Sequence, residues 1–158
     1  MKSYTFLLLS ALFLMICSCD VQSEQAGEPS DSVLGQLGGG FTLNPAVQDK
    51  FDEGLLLLHN FEYDDALSAF EEASAMDSSE IMTLWGEAMC HYKALWRLQN
   101  TDDGNAVLAR LGDSKEARMA SIADDLEKDM WEIVEIMYGA GDFETRNMLI
   151  KSHLSALH

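Results

Sequence analysis

The chain is short of basic residues and almost without proline. Its 158 residues include 27 Asp and Glu but only 10 Lys and Arg, which gives a formal net charge of −17. Nucleic acids are bound largely by basic patches that neutralise phosphates, so we expect no nucleic-acid partner. The same acidity repels anionic membrane surfaces. A neutral or basic protein or peptide is the partner class that this composition leaves.

Catalytic motifs with specific spacing are also missing. The sequence has no G-x-S-x-G elbow, no H-E-x-x-H pair and no Walker loop. The glycines at 38–40 lack the GxGxxG spacing of a phosphate-binding loop. We therefore expect no enzymatic activity and no cofactor, and the function is predicted to be non-catalytic.

The N-terminus carries an export signal. Residues 3–19 form an uncharged, mainly apolar run that is too short for a typical membrane-spanning helix. The end of this run, with Ile16, Ser18 and Cys19, resembles the lipobox of bacterial lipoproteins. The resemblance implies that residues 1–18 are a lipoprotein signal peptide. Cys19 would then carry the lipid and anchor the exported chain to the cell envelope, on either membrane. The alternative is an ordinary cleaved signal in which Cys17 and Cys19 are incidental.

Residues 19–43 have the composition of a flexible tether. They are rich in Gln, Ser, Glu and Gly and hold few large apolar residues. About twenty such residues have a root-mean-square reach of about 25 Å. With Cys19 lipidated, Cys90 is the single unmodified cysteine, so we expect no internal disulfide.

The remaining residues, 44–158, predict an all-α domain. Asn44 followed by Pro45 is a typical helix start. Two apolar sets then recur at helical spacing: Val47, Phe51, Leu55 and Leu58, and Ala66, Phe70 and Ala73. No useful stretch alternates with a period of two, so we expect no β-sheet.

Residues 47–80 resemble one tetratricopeptide (TPR) repeat, whose period is about 34 residues. The match rests on a small residue in the first helix, a tyrosine at the turn, and three buried positions in the second helix: Gly54, Tyr63, Ala66, Phe70 and Ala73. The following run LWGEAMCHYKALWRLQN is similar to that of exported bacterial TPR-like proteins of unassigned role. The resemblance implies a TPR-like helix-turn-helix array of about six helices, following the signal peptide and linker.

Four further helices are predicted after residue 78. The third runs over 79–99, and the fourth over 101–111 with Gly112 as a left-handed stop. A capping box at Asp113 and Glu116 starts a long fifth helix, which is broken at 139–141. A sixth starts near Asp142. The turn at 141–144 indicates a second, divergent repeat over 127–158.

The array predicts a protein-binding or peptide-binding module. The contact candidates are Lys50, Asn60, Tyr92 and Trp96, with core packing as the alternative for the two aromatic residues. Ten acidic residues against Lys50 alone between positions 49 and 80 indicate a neutral or basic partner.

A metal-binding or metal-dependent domain is the alternative function. Glu87 and His91 are four residues apart, so on one helix they would project from the same face. They are weak candidates because a catalytic metal site needs about three protein ligands. A surface ion pair beside a core cysteine is the competing interpretation.

The last predicted helix is still running at Leu157 and His158 without a stop signal. We therefore expect the chain to be a piece of a longer TPR protein. The expectation is checked by the reading frame: an in-frame stop codon directly after His158 would contradict it.

Lipidation gives the first testable prediction. Expressed in a bacterium, the protein should partition with membranes, and Cys19→Ser should release it or leave it unprocessed, because serine cannot form the thioether link. The measurement is membrane fractionation with mass spectrometry of the mature N-terminus. A Cys19→Ser protein that matures and localises like the original would contradict the prediction.

Overall fold

The computed structural model describes residues 41–157, so the predicted signal peptide, Cys19 and most of the tether lie outside the described residues. The described part is an all-α helical array interrupted by one small β-hairpin. The α-helices are α1 Pro45–His59, α2 Tyr63–Met76, α3 Ile81–Cys90, α4 Thr101–Leu111, α5 Lys115–Ser121, α6 Asp125–Tyr138 and α7 Phe143–Ala156. Between α3 and α4 lie β1 Tyr92–Lys93, a 3₁₀ turn Ala94–Trp96 and β2 Leu98–Gln99.

Consecutive helices pack against one another, and alternate helices also meet. α1 packs on α2, α2 on α3, α3 on α4, and α6 on α7. In addition, α1 contacts α3, and α3 contacts α6. The helices therefore form three successive pairs, α1/α2, α3/α4 and α6/α7, in which the first helix of each pair contacts the first helix of the next. α5 is an extra element packed on α6.

The ring of Phe70 on α2 fills the space between two glycines on neighbouring helices. Phe70 is fully buried. A methyl group on Gly54 of α1 would lie 2.7 Å from Phe70 Cε1, and one on Gly86 of α3 would overlap the same ring. Both contacts would be closer than two carbon atoms tolerate, so a side chain at either glycine would push the helices apart. The two glycines let α1 and α3 approach α2 closely.

The ring of Tyr138 joins α6 to the pair formed by α3 and α4. Tyr138 lies against Gly104 of α4, where a methyl group would overlap its ring. Its hydroxyl donates a buried hydrogen bond of 2.7 Å to the carbonyl of Ala88 in the last turn of α3. That carbonyl also accepts from the His91 amide at 3.2 Å, so the Tyr138 hydroxyl is a second donor to the C-terminal end of α3. Tyr138 therefore packs on α4 and is hydrogen-bonded to α3.

A buried ion pair fixes α5 on α6. Arg118 Nε donates to Glu135 Oε1 at 2.6 Å and Nη2 donates to Oε2 at 2.8 Å. Nη1 donates to the Gly112 carbonyl at 2.8 Å. The two-pronged contact raises the pKa of Arg118 through hydrogen bonding to Glu135. Such pairs are strong because both hydrogen bonds are charge-assisted.

The prediction of one helix over 79–99 with no sheet is wrong. α3 ends at Cys90, and Tyr92–Lys93 pairs antiparallel with Leu98–Gln99. Tyr92 is buried, stacks on Phe143 with ring centroids 5.7 Å apart, and donates a hydrogen bond to Asn147 Oδ1. Tertiary packing of Tyr92 thus overrides the local helical pattern.

The long fifth helix is also wrong, because it is two helices. The buried Ile122 is extended (φ −87°, ψ 126°), and Asp124 caps α6 by accepting from the amides of Leu126 and Glu127. The predicted caps differ as well. Ser114 caps α5 in place of Asp113, and Gly112 is extended (φ 167°) and not left-handed. The N-cap of α4 is Asn100. The predicted cap at Asn44 is confirmed, since its Oδ1 accepts from the Ala46 amide.

Two residues at the end of the predicted tether, Phe41 and Leu43, contact the helical array. Leu43 is buried, and the ring of Phe41 lies 6.1 Å from that of Phe51 and 6.0 Å from that of Trp85. Apolar contact with α1 and α3 orders these residues. Within residues 41–157, no helix is long and apolar enough to cross a membrane.

The packing of Phe70 predicts the effect of adding one methyl group. Gly86→Ala should lower the free energy of unfolding by about 1–3 kcal/mol, because overpacking outweighs the higher helix propensity of alanine. Chemical denaturation measures this. Phe70→Leu in the Gly86→Ala background should recover part of the loss, although Phe70→Leu alone destabilises. Additive effects of the two substitutions would contradict the contact.

Candidate functional site

The connection between α3 and α4 is held by the helices around it. The Asn100 amide donates to the His91 carbonyl at 3.0 Å and closes the hairpin. Gln99 Nε2 donates to the Met137 carbonyl at 2.9 Å, which fixes β2 on α6. Arg97 packs on the start of α7, with its Cζ atom 4.9 Å from the centroid of the Phe143 ring. The short hairpin is therefore a fixed element and not a free loop.

Four large apolar side chains point into solvent at this end of the molecule. They lie in the α1–α2 turn and in the hairpin, and we call them together the hairpin surface: Phe61, Leu95, Trp96 and Leu98. Each of these residues is between 50 % and 68 % exposed. Single exposed apolar residues are ordinary, whereas a group of them marks an interaction site.

The turn that carries Phe61 takes a conformation that normally uses glycine. The Phe61 amide donates to Leu58 O at 3.1 Å and the Glu62 amide donates to Leu57 O at 3.0 Å. These two bonds are those of a Schellman helix ending, in which the residue at Phe61 is left-handed. Its φ is 65°, and a bulky residue rarely adopts this value. Phe61 is therefore held outward at a conformational cost.

Arg97 is a second residue with a left-handed backbone. Within residues 41–157, Phe61 and Arg97 (φ 55°) are the two non-glycine residues with positive φ, and both belong to this region. Backbone strain of this kind concentrates at functional sites. The position of these two strained residues supports the hairpin surface as the candidate site.

Three aromatic rings meet across the two segments. The Trp96 ring lies 5.5 Å from that of Phe61 and 5.6 Å from that of Tyr63, centroid to centroid, in both cases edge to face. Rings in this arrangement attract one another beyond simple burial. The rings hold the hairpin against the start of α2.

The surroundings of the rings are acidic. A cavity of about 310 Å³ adjoins them, lined by Phe61, Glu62, Tyr63, Asp64, Asp65 and Lys93. A second cavity of about 390 Å³ opens between α2 and the hairpin, with Leu67, Cys90, His91 and Leu98 in its wall. Burial raises the pKa of the Cys90 thiol to about 12, so this cysteine stays protonated at neutral pH.

The four predicted partner contacts lie on different elements of the structure. Trp96 lies on the hairpin surface, although on a 3₁₀ turn and not on a helix. Tyr92 is 4 % exposed and packs inside, so its prediction as a contact residue is wrong. Lys50 pairs with Glu53 and Glu72 along α1 and α2. Asn60 ends α1 and donates to the Leu56 carbonyl.

The two candidate metal ligands, Glu87 and His91, lie in different surroundings. Glu87 is 1 % exposed and accepts a hydrogen bond from Arg110 of α4, which also donates to Ser74 Oγ. His91 is the residue that follows α3 and lines the larger cavity. Among residues 41–157 there is no group of three His, Cys, Asp or Glu side chains that could hold a metal ion.

Sequence reasoning missed Phe61, Leu95 and Leu98. Phe61 was visible as an apolar residue in a turn, where polar residues predominate. Leu95 and Leu98 fell within the single helix predicted over 79–99, whereas in the structure they belong to the 3₁₀ turn and to β2. The local sequence around them carries no comparable signal.

Comparison of the chain with protein-family models, with curated proteins and with solved structures gave no match. The functional argument therefore depends on the residues of this site and on the fold that positions them.

Glu87 predicts a pH-dependent contribution to stability. Burial raises its pKa above the ordinary value of 4.5, and the Arg110 guanidinium opposes that shift. The folded state thus holds this proton more tightly than the unfolded state. The contribution of Glu87 to the free energy of unfolding falls as pH rises from about 4.5 through the folded pKa.

Glu87→Gln should remove this dependence, because glutamine stays neutral. Relative to the original protein, the variant should gain stability as pH rises through that window, then change no further. Urea denaturation between pH 4 and 8 measures the difference. In the protein that keeps Glu87, Arg110→Gln should increase the loss of stability with rising pH, because it removes the guanidinium that lowers the pKa of Glu87. A relative stability of Glu87→Gln that declines with pH would show that the ion pair outweighs burial.

Proposed function

We propose that this domain is a non-catalytic module that binds a protein or peptide on its hairpin surface. The observation that carries the proposal is the grouping of Phe61, Leu95, Trp96 and Leu98 as exposed side chains, with Phe61 held out by a left-handed backbone. Aromatic residues that stay exposed in the free protein are typical anchors of binding interfaces.

The charge of the surroundings selects the partner. Glu62, Asp64 and Asp65 flank the apolar residues, against Lys93 on the facing strand. A segment with one or two large apolar side chains and flanking basic residues complements both features. Basic flanks also accelerate encounter with an acidic surface, and salt reduces that gain because the Debye length is about 8 Å at physiological ionic strength.

We further propose that the array is of the TPR type and that the chain is a lipoprotein of the bacterial envelope. The first proposal is supported by the three helix pairs and by the contacts between their first helices. It is also supported by Gly54 and Phe70, which pack as the resemblance implies. The second rests on the sequence of residues 1–19. In this arrangement the lipid is the membrane contact and the hairpin surface is free for the partner.

Phe61→Gly separates binding from folding. Glycine adopts the left-handed conformation without strain, and this gain offsets the lost ring contacts with Trp96 and Tyr63, so the free energy of unfolding should stay within about 1 kcal/mol of the original value. It also removes the anchor ring, so binding should weaken by about tenfold or more, as for a buried aromatic anchor. The test uses a random peptide library displayed on phage, selected on the immobilised protein and on the variant.

The selected peptides should combine Lys or Arg with large apolar residues, and Phe61→Gly should lose them. Leu149→Ser is the matched control, because Leu149 of α7 is 48 % exposed and Phe61 is 53 % exposed. The control should bind like the original protein. Equal retention of the peptides by Phe61→Gly, or their loss in Leu149→Ser, would overturn the proposal.

A further inference from the structure

The start of α2 holds a cation of the protein itself in a small site. Lys93 Nζ lies 5.2 Å from the centroid of the Tyr63 ring and 3.3 Å from Asp64 Oδ1. One aromatic face and one carboxylate thus receive a single ammonium group. Ammonium groups are attracted to aromatic faces, and a neighbouring carboxylate adds to the attraction.

The hold on Lys93 is weak enough for exchange. The Asp64 side chain is 97 % exposed and that of Lys93 is 36 % exposed, so water and salt screen their attraction. Lys93 also lies on a strand of two residues, Tyr92–Lys93. Its long side chain can swing away without disturbing the backbone pairs of the hairpin. The receiving groups stay in place, because Tyr63 and Asp64 belong to the first turn of α2.

The same chemistry recurs on the opposite side of the hairpin. Arg97 lies over the Phe143 ring, and its Nη2 atom is 3.7 Å from Glu144 Oε1. Phe143 and Glu144 begin α7 as Tyr63 and Asp64 begin α2. There, however, Tyr92 stacks on the Phe143 ring. The Tyr63 side instead faces the cavity of about 310 Å³, which has room for a ligand side chain.

We propose that Tyr63 and Asp64 bind a lysine or arginine side chain of the partner, in the place that Lys93 fills in the free protein. The inference rests on the proposed function and names the group that the hairpin surface recognises beside its apolar anchors. Lys93 is then an internal competitor, and partner binding displaces it. The partner's apolar side chain lies on Phe61 and Trp96, whose rings adjoin Tyr63.

The test compares two synthetic peptides, acetyl-Leu-Lys-Leu-amide and its norleucine counterpart, which has an uncharged straight side chain. Binding is followed by amide chemical shifts of the hairpin surface. The lysine peptide should bind about two- to fivefold more tightly, the factor that an exposed cation–π contact provides. Lys93→Met should increase this ratio, because the competitor loses its charge. Asp64→Asn should reduce it toward one.

Lys151→Met serves as the control, since Lys151 is an exposed lysine of α7 that takes part in none of the hairpin contacts described above, and it should leave the ratio unchanged. A ratio that neither Lys93→Met nor Asp64→Asn alters would overturn the cation site while leaving apolar peptide binding intact. Failure of both peptides to shift any hairpin-surface signal would instead overturn the proposed function itself. Should Lys93→Met disturb the hairpin, Asp64→Asn alone decides the matter.

Discussion

The packing of one phenylalanine ring between two glycines determines how the helices of this protein meet. Phe70 fills the space that Gly54 and Gly86 leave open, so α1 and α3 are both fixed on α2. Because interiors are close-packed, even one additional methyl group at these contacts must displace a helix. The relative position of the first two helix pairs therefore depends on glycine, which has no β-carbon, at residues 54 and 86.

The hairpin surface follows from this constraint. The turn with Phe61 continues from α1, and the hairpin with Trp96 continues from α3, so the ring that fixes both helices also fixes where these segments emerge. Their side chains meet as an edge-to-face pair at 5.5 Å. On the far side, Tyr92 and Arg97 attach the hairpin to α7. A surface held in this way is preorganised, which lowers the conformational entropy lost on binding.

The hairpin surface also contains backbone strain, at Phe61, that a glycine would remove. A glycine at position 61 would end α1 with the same two hydrogen bonds and no steric cost. The Phe61 ring contacts Trp96 and Tyr63, yet about half of the residue stays exposed. Lys93 in turn occupies the face of Tyr63 beside the Asp64 carboxylate, where the proposed ligand cation would bind. Strain and replaceable contacts coincide in the same region, and the proposed binding function would account for both.

The sequence predicted most of the helices and little of the site. The all-α class and the cap at Asn44 could be predicted because helical spacing and capping are local properties. The pairing around Gly54 and Phe70 was what the resemblance to a TPR repeat implied. The hairpin could not be predicted, because Tyr92 leaves the helical path for contacts with Phe143 and Asn147, residues about fifty positions away. The break at Ile122 was hidden by an apolar residue that fits a helical stripe equally well. Phe61 was missed because its exposure depends on a left-handed backbone that composition does not reveal.

Nuclear Overhauser effects from the Phe70 ring test the central claim most directly. The account predicts contacts from its ring protons to the α-protons of both Gly54 and Gly86, with those α-protons shifted by the ring current. Contacts to Gly54 alone would mean that the second pair does not pack on this ring. The relation between the Phe61 turn and the hairpin would then have no physical basis.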